Sequence, residues 1–195
     1  MPSDPLPAAV FEEKYLASDD PRAQSGFRGD KARWESARRP IVEAIDQDGT
    51  FLDVGCANGY LLQSIVRWSP HVIEPYGIDF SPKLVELART RLPQWADRFF
   101  VADALSWEAP RRFDFARTEL VYVPEVRHRE LVERLLSFVD RLIVCSYGSL
   151  RRNLQTDDIG GRLRRLGFDV AGELEREGRE GALVRVAWIG AASDT

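Results

Sequence analysis

The sequence predicts an α/β protein: a doubly wound, mostly parallel sheet with one antiparallel C-terminal strand and helices on both faces. Three observations lead there. Between Thr50 and Cys145, short apolar runs alternate with amphipathic stretches, the rhythm of strand–helix–strand units. The runs are apolar throughout rather than at every second position, as in strands covered on both sides. The last two β-like runs, Phe168–Glu175 and Leu183–Ile189, are separated only by the polar stretch Arg176–Gly181. So short a connection cannot make a parallel crossover, so these two runs pair antiparallel.

The elements follow in order. The first dozen residues are proline-rich and read as mobile, and the polar Ser18–Gly29 stretch reads as loop. Asp30 can cap a helix on which Trp34, Ala37, Ile41 and Ile45 share one side, with Pro40 dividing or kinking it. Phe51–Val54 is a buried strand running into a glycine turn, and Leu61, Leu62, Ile65 and Val66 form a helical stripe that closes near Pro70. Tyr76–Asp79 is the second strand. Ser81 and Pro82 then start a helix, serine as cap and proline in its first turn. That helix presents Leu84, Leu87 and Ala88 and stops before Pro93. Phe99–Ala102 and Phe113–Ala116 are the third and fourth strands; a helix carrying Leu131, Leu135 and Phe138 leads to the fifth, Leu142–Cys145.

The 195 residues fit one domain, divided as an N-terminal tail, loop and helical cap over 1–49, a core over 50–190 and a tail over 191–195. With 44% hydrophobic and 30% charged residues the composition is that of a globule. A net charge of -4 argues against a nucleic-acid binder relying on overall basicity, although a local basic patch stays open. The two cysteines, Cys56 and Cys145, sit in apolar strand-like runs, which makes neither a disulfide framework nor a metal cluster and suits a reducing cytoplasm. No stretch reaches the ~18–20 apolar residues that span a bilayer, and the first residues lack the pattern of a secretory signal.

The most informative segment is Phe51-Leu52-Asp53-Val54-Gly55-Cys56-Ala57-Asn58-Gly59-Tyr60. A strand, a glycine turn and a helix in immediate succession place the turn at the carboxyl ends of the strands, where ligands bind in open α/β sheets. Gly55 and Gly59 allow positive φ and close approach of backbone to a ligand. A tight connection without a ligand is the alternative. A dinucleotide fingerprint would need glycine at position 57 and glycine or alanine at 60, where Ala57 and Tyr60 stand, and the phosphate-cradling G-x-x-x-x-G-K-[ST] pattern is absent. Asp53 before the turn disfavours a pyrophosphate and suits a cationic ligand. Asp79 ends the second strand, about 20 residues past the turn, where an acid can grip a ribose diol. Asp103 follows the third strand. Each acid alone could simply solvate a strand end; three at successive strand ends form a pattern.

This ordered set resembles the class I S-adenosylmethionine-dependent methyltransferases over roughly Thr50–Ile189, with Ala57 replacing a commonly found glycine. The resemblance implies a Rossmann-like fold and S-adenosylmethionine as cofactor. It implies contacts from Asp53, Gly55, Cys56, Ala57 and Gly59, a ribose-binding Asp79 with Phe80 along the adenine, Asp103 and Ala104 at the base's amine and edge, and Arg117 near the methyl donor. Carboxylates accept from diol and amine, and Phe80 and Leu105 offer apolar surface to the ring.

For the methyl acceptor, Glu119 and Tyr122 follow the fourth strand and face the same cleft; Glu119 either orients an acceptor or pairs with Arg117. His128 lies on the same side and is either a base or an exposed helix-start residue, while His71 falls on the opposite side, as a solvent-facing residue. Tyr15, Phe27, Arg28 and Trp34 are candidates for a lid. Without a large insertion, the chain is expected to take a small-molecule acceptor, methylated at oxygen or nitrogen. A nucleic acid or membrane partner is not expected, and a homodimer is left open. Two alternatives share the site: a nucleic-acid or protein methyltransferase, and a non-catalytic partner subunit that holds the cofactor without turnover.

Overall fold

The computed structural model describes residues 8–149 and 158–190. Seven strands form one sheet in the order β3-β2-β1-β4-β5-β7-β6, with β1 Gly49–Val54, β2 Ile73–Asp79, β3 Phe99–Val101, β4 Phe113–Thr118, β5 Val139–Ser149, β6 Gly172–Glu177 and β7 Ala182–Ile189. The pairs among β1 to β5 are parallel, and β7 is antiparallel to both β5 and β6. A single strand thus runs against the rest, as the sequence predicts.

Two cores cover the faces. On one, α2 (Lys31–Arg38), α3 (Tyr60–Trp68) and α4 (Pro82–Arg91) bury Trp34, Leu62, Ile65 and Val85 against Phe51, Phe115 and Ile143. On the other, α5 (His128–Leu136) and α6 (Ile159–Arg165) bury Leu131, Leu135 and Leu163 against Leu52, Leu142 and Val144. Neighbours in sequence such as Phe51 and Leu52 enter opposite cores, which explains the uninterrupted apolar runs.

Local chemistry sets the boundaries. Asp30 accepts from the Arg33 N–H and Ser81 from the Leu84 N–H, as caps. Pro40 cannot donate the next helical bond, so α2 gives way to a 3-10 segment, Arg39–Ala44. Three expectations are corrected. Helix α1 (Ala8–Tyr15) begins within the first dozen residues, the stretch read as mobile, and runs past its end. The β-like run at Phe168 does not become strand until Gly172: Gly167 ends α6 at φ +87°, and Phe168 N–H donates back to Leu163 O, in a left-handed cap that sends Phe168 and Val170 into the second core. β5 runs on past Cys145 to Ser149, paired throughout with β7. The tail expected over 191–195 lies outside the described residues.

Candidate active site

The parallel strands end together on one edge of the sheet, beneath a cavity of about 390 Å³, within the range of small-ligand sites. The turn after β1 forms its floor. Gly55 and Gly59 take φ of +81° and +74°, and Ala57, at φ +46°, adopts the same left-handed region without glycine's freedom. A Cβ on Gly55 would meet nothing within 4 Å, so the cavity side of the turn is open. Gly59 serves packing instead: a Cβ there would press on Leu92 at 3.0 Å, and the residue does not line the cavity.

Asp79 ties this turn to the end of β2. One carboxylate oxygen accepts from Ala57 N–H at 2.9 Å and the other from Ser81 N–H at 2.9 Å. Each oxygen keeps a lone pair for a ligand. Burial raises its pKa, against those two amides. Asp53, Cys56, Asp79, Phe80, Asp103 and Ala104 all border the same cavity, as does Leu105. Phe80 is 39% exposed with its ring edge-to-face on Phe11, and Asp103 accepts from Leu105 N–H at 2.9 Å. Cys56 is a buried thiol whose pKa burial pushes well up, so it is no nucleophile.

A buried charge cluster stands at the other end. Register places Asp53 of β1 beside Arg117 of β4. The guanidinium donates to Asp53 Oδ1 at 3.3 Å, to Glu119 Oε1, and to the Tyr147 hydroxyl at 3.1 Å. Burial lifts the Asp53 pKa to about 6 despite the opposing pull of Arg117. Its Oδ2 is buried with no hydrogen-bond partner: an acceptor at the cavity wall that the protein leaves unsatisfied. The pairing between Glu119 and Arg117 is thus realised. Tyr122 borders the cavity too, its hydroxyl 3.3 Å from that of Tyr15, and burial followed by the nearby Glu119 raises its pKa, keeping it a neutral phenol.

His128 is not brought to this place. It is buried rather than exposed, with Nε2 2.8 Å from Val123 O and Nδ1 3.3 Å from Arg162 Nη1. Both nitrogens are occupied by structural partners. His71 lies 3.6 Å from Asp48, away from the cavity. Among the expected lid residues, Tyr15 and Trp34 border the cavity, Phe27 packs edge-on against Trp34, and Arg28 is exposed elsewhere.

Several cavity-side residues went unread in the sequence. Phe11 of α1 stands i, i+4 from the expected Tyr15 and roofs the cavity with it, and Glu12 fixes that helix through Ser81 Oγ at 2.8 Å and Lys83 Nζ at 3.0 Å. The i, i+4 aromatic pair was the available signal. Asn58 binds the preceding segment to the turn: its amide donates to Pro21 O at 2.9 Å, and its oxygen accepts from Ser25 Oγ at 2.6 Å. Arg38, one turn after Trp34 on α2, also reaches the cavity.

Known proteins share the fold that carries this cavity. Residues 51–140 match the family model described as Methyltransferase domain. Over 115 residues the chain is 36% identical to trans-aconitate 2-methyltransferase from Methylobacterium radiotolerans, a match covering 55% of this chain and 42% of that one. The chain therefore spans less than half of that relative. The fold superposes on N-methyltransferase NodS from Bradyrhizobium japonicum WM9 in complex with S-adenosylhomocysteine, with TM-score 0.70, 16% identity and 95% and 98% of the two chains covered. It also superposes on magnesium protoporphyrin IX methyltransferase from Synechocystis PCC 6803 with bound S-adenosylmethionine, with TM-score 0.62, 18% identity and coverage of 97% and 100%. At such identities the likeness is one of fold.

Proposed function

We propose that this chain is a class I S-adenosylmethionine-dependent methyltransferase that transfers a methyl group to an oxygen or nitrogen of a small-molecule acceptor, a reading supported by the methyltransferase-domain match. The observation that carries the reading is Asp79, buried at the end of β2, braced by two backbone amides and bordering one cavity with Asp53 and Asp103. The residues fit the cofactor. Asp79 offers acceptors to a ribose diol, Phe80 and Leu105 offer faces to the base, and the unsatisfied Asp53 oxygen suits an ammonium or the water beside it. Gly55 leaves room for close approach.

When bound, S-adenosylmethionine supplies a methyl carbon made electrophilic by its sulfonium. The chain's own part is orientation, which provides much of the rate of a direct displacement. Glu119 is held by Arg117 and keeps its second oxygen for an acceptor O–H or N–H, while Tyr122, a neutral phenol, donates or accepts at the same edge. The segment before residue 50 acts as the cap: α1 and α2 bring Phe11, Tyr15 and Trp34 over the cavity and keep water from it. The cavity's volume of about 390 Å³ favours a metabolite-sized acceptor over a macromolecule. Two free, buried cysteines are in keeping with action in the cytoplasm.

Titration calorimetry with S-adenosylmethionine and S-adenosylhomocysteine tests the cofactor site, and absence of binding up to millimolar ligand overturns it. Release of S-adenosylhomocysteine with a metabolite panel separates an enzyme from a non-catalytic subunit; release with RNA and none with the panel would point instead to a nucleic-acid acceptor.

A further inference from the structure

We infer that Arg38 forms a carboxylate-binding subsite in this cavity; the inference rests on the methyltransferase reading and narrows its ligand class. Three cations border the cavity: Arg38, Arg117 and Arg127. Arg117 is committed to Asp53 and Glu119, and Arg127 to Glu130 at 2.6 Å. Arg38 has no carboxylate within ion-pair distance among the described residues, and its one hydrogen bond is a long 3.4 Å contact to Ala37 O. Its charge is nevertheless held in place. The guanidinium carbon lies 3.4 Å from the ring centroid of Tyr147, with Trp34 at 5.3 Å and Phe27 at 5.2 Å.

Aromatic faces orient a guanidinium without using its N–H groups. The planar fork that remains matches a carboxylate in two parallel hydrogen bonds. Tyr147 also receives a hydrogen bond from Arg117, so an anion on Arg38 would lie beside the Asp53–Arg117–Glu119 cluster, at the transfer end of the cavity. Two small molecules can bring that group here: the acceptor, or the amino-acid end of the methyl donor.

The test compares wild type with Arg38→Met, which keeps the apolar stem, and Arg38→Lys, which keeps the charge without the fork; near-ultraviolet circular dichroism and thermal melts check folding. Calorimetry is run with S-adenosylhomocysteine, with 5′-methylthioadenosine, which lacks the amino-acid end, and with trans-aconitate and 4-hydroxybenzoate at saturating S-adenosylhomocysteine. Weakening of S-adenosylhomocysteine by about 10- to 100-fold in Arg38→Met, with methylthioadenosine unchanged, assigns the subsite to the donor. A similar loss for a carboxylate probe, with S-adenosylhomocysteine unchanged, assigns it to the acceptor. Arg38→Lys falls between in either case. If Arg38→Met binds S-adenosylhomocysteine as wild type does and changes the binding of neither carboxylate probe, the subsite is refuted. Failure of the wild type to bind S-adenosylhomocysteine at all refutes the methyltransferase reading instead.

Discussion

Arg117 Nη1 lies 3.3 Å from Asp53 Oδ1 because parallel register sets these residues side by side on β4 and β1, both almost wholly buried. Removing the arginine leaves two carboxylates facing each other without their common cation. Breaking such a buried pair costs about 3–5 kcal/mol. Arg117→Met is therefore expected to lower unfolding free energy by an amount in that range in urea melts, and the Asp53→Asn/Arg117→Met double variant to recover part of it. Equal stability of the single and double variants would show that the two residues are not coupled.

The same pair sets a pH dependence. Burial, opposed by Arg117, raises the Asp53 pKa to about 6 from an unfolded value near 4. A carboxyl with a raised folded pKa binds more protons folded than unfolded in that window, so its contribution to stability declines as pH rises from about 4 to 6. Asp53→Asn removes this decline. The melting temperature of Asp53→Asn relative to wild type should rise across that interval and level off above it; a constant difference contradicts the assigned shift.

Asp79→Asn replaces one carboxylate oxygen with an amide that cannot accept from both the backbone and a ribose diol. S-adenosylhomocysteine affinity is expected to fall by about 10- to 100-fold, the range for a hydrogen bond to a charged group. Calorimetry on the folded variant gives the answer, and an unchanged Kd removes Asp79 from the ligand contacts.

Ala57 sits at φ +46° in the glycine turn. The left-handed region costs a non-glycine residue about 1–2 kcal/mol, and glycine's greater unfolded freedom returns about 0.4–1 kcal/mol of that. Ala57→Gly is expected to be more stable by about 0.5–1 kcal/mol in denaturant melts. A less stable variant would mean that the methyl group's packing outweighs the backbone strain.

Glu12 anchors α1 to the start of α4 through Ser81 and Lys83, and these contacts lower its pKa. Glu12→Ala should speed dissociation of S-adenosylhomocysteine in stopped-flow measurements and expose the peptide bonds near Tyr15 to protease. Unchanged rates of both would separate α1 from closure of the site.

The sheet and the gathering of the strand-end acids around one cavity were legible because they rest on local chemistry. Asp53, Asp79 and Asp103 each stand at the end of an apolar run, and Gly55 and Gly59 punctuate the first turn, so order along the chain translated directly into adjacency on one edge. What escaped was what depends on distant partners. α1 follows prolines and carries weak amphipathic character; it is fixed by Glu12 reaching a serine 69 residues away. α6 was hidden by Gly160 and Gly161 in its first turn, where Asp158 caps the Gly161 N–H. His128 has a sequence position suited to the cleft, yet Val123 and Arg162 turn it inward. Tyr147 lay beyond the apolar run that marked β5, and only the antiparallel partner strand extends β5 that far.

That extension has a bearing on how ligand preference changes among chains of this shape. Tyr147 stands opposite Val184 in the ladder between β5 and β7, on the face shared with Ile143 and Cys145. A slip of one position would rotate Ser146 inward and Tyr147 outward, since side chains alternate along a strand. The platform under Arg38 would vanish while every strand-end acid stayed where it is. A single-residue insertion or deletion in β5 between Val144 and Tyr147, past the last pairing with β4, is thus a route to altered selectivity with the acid-lined edge of the cavity intact.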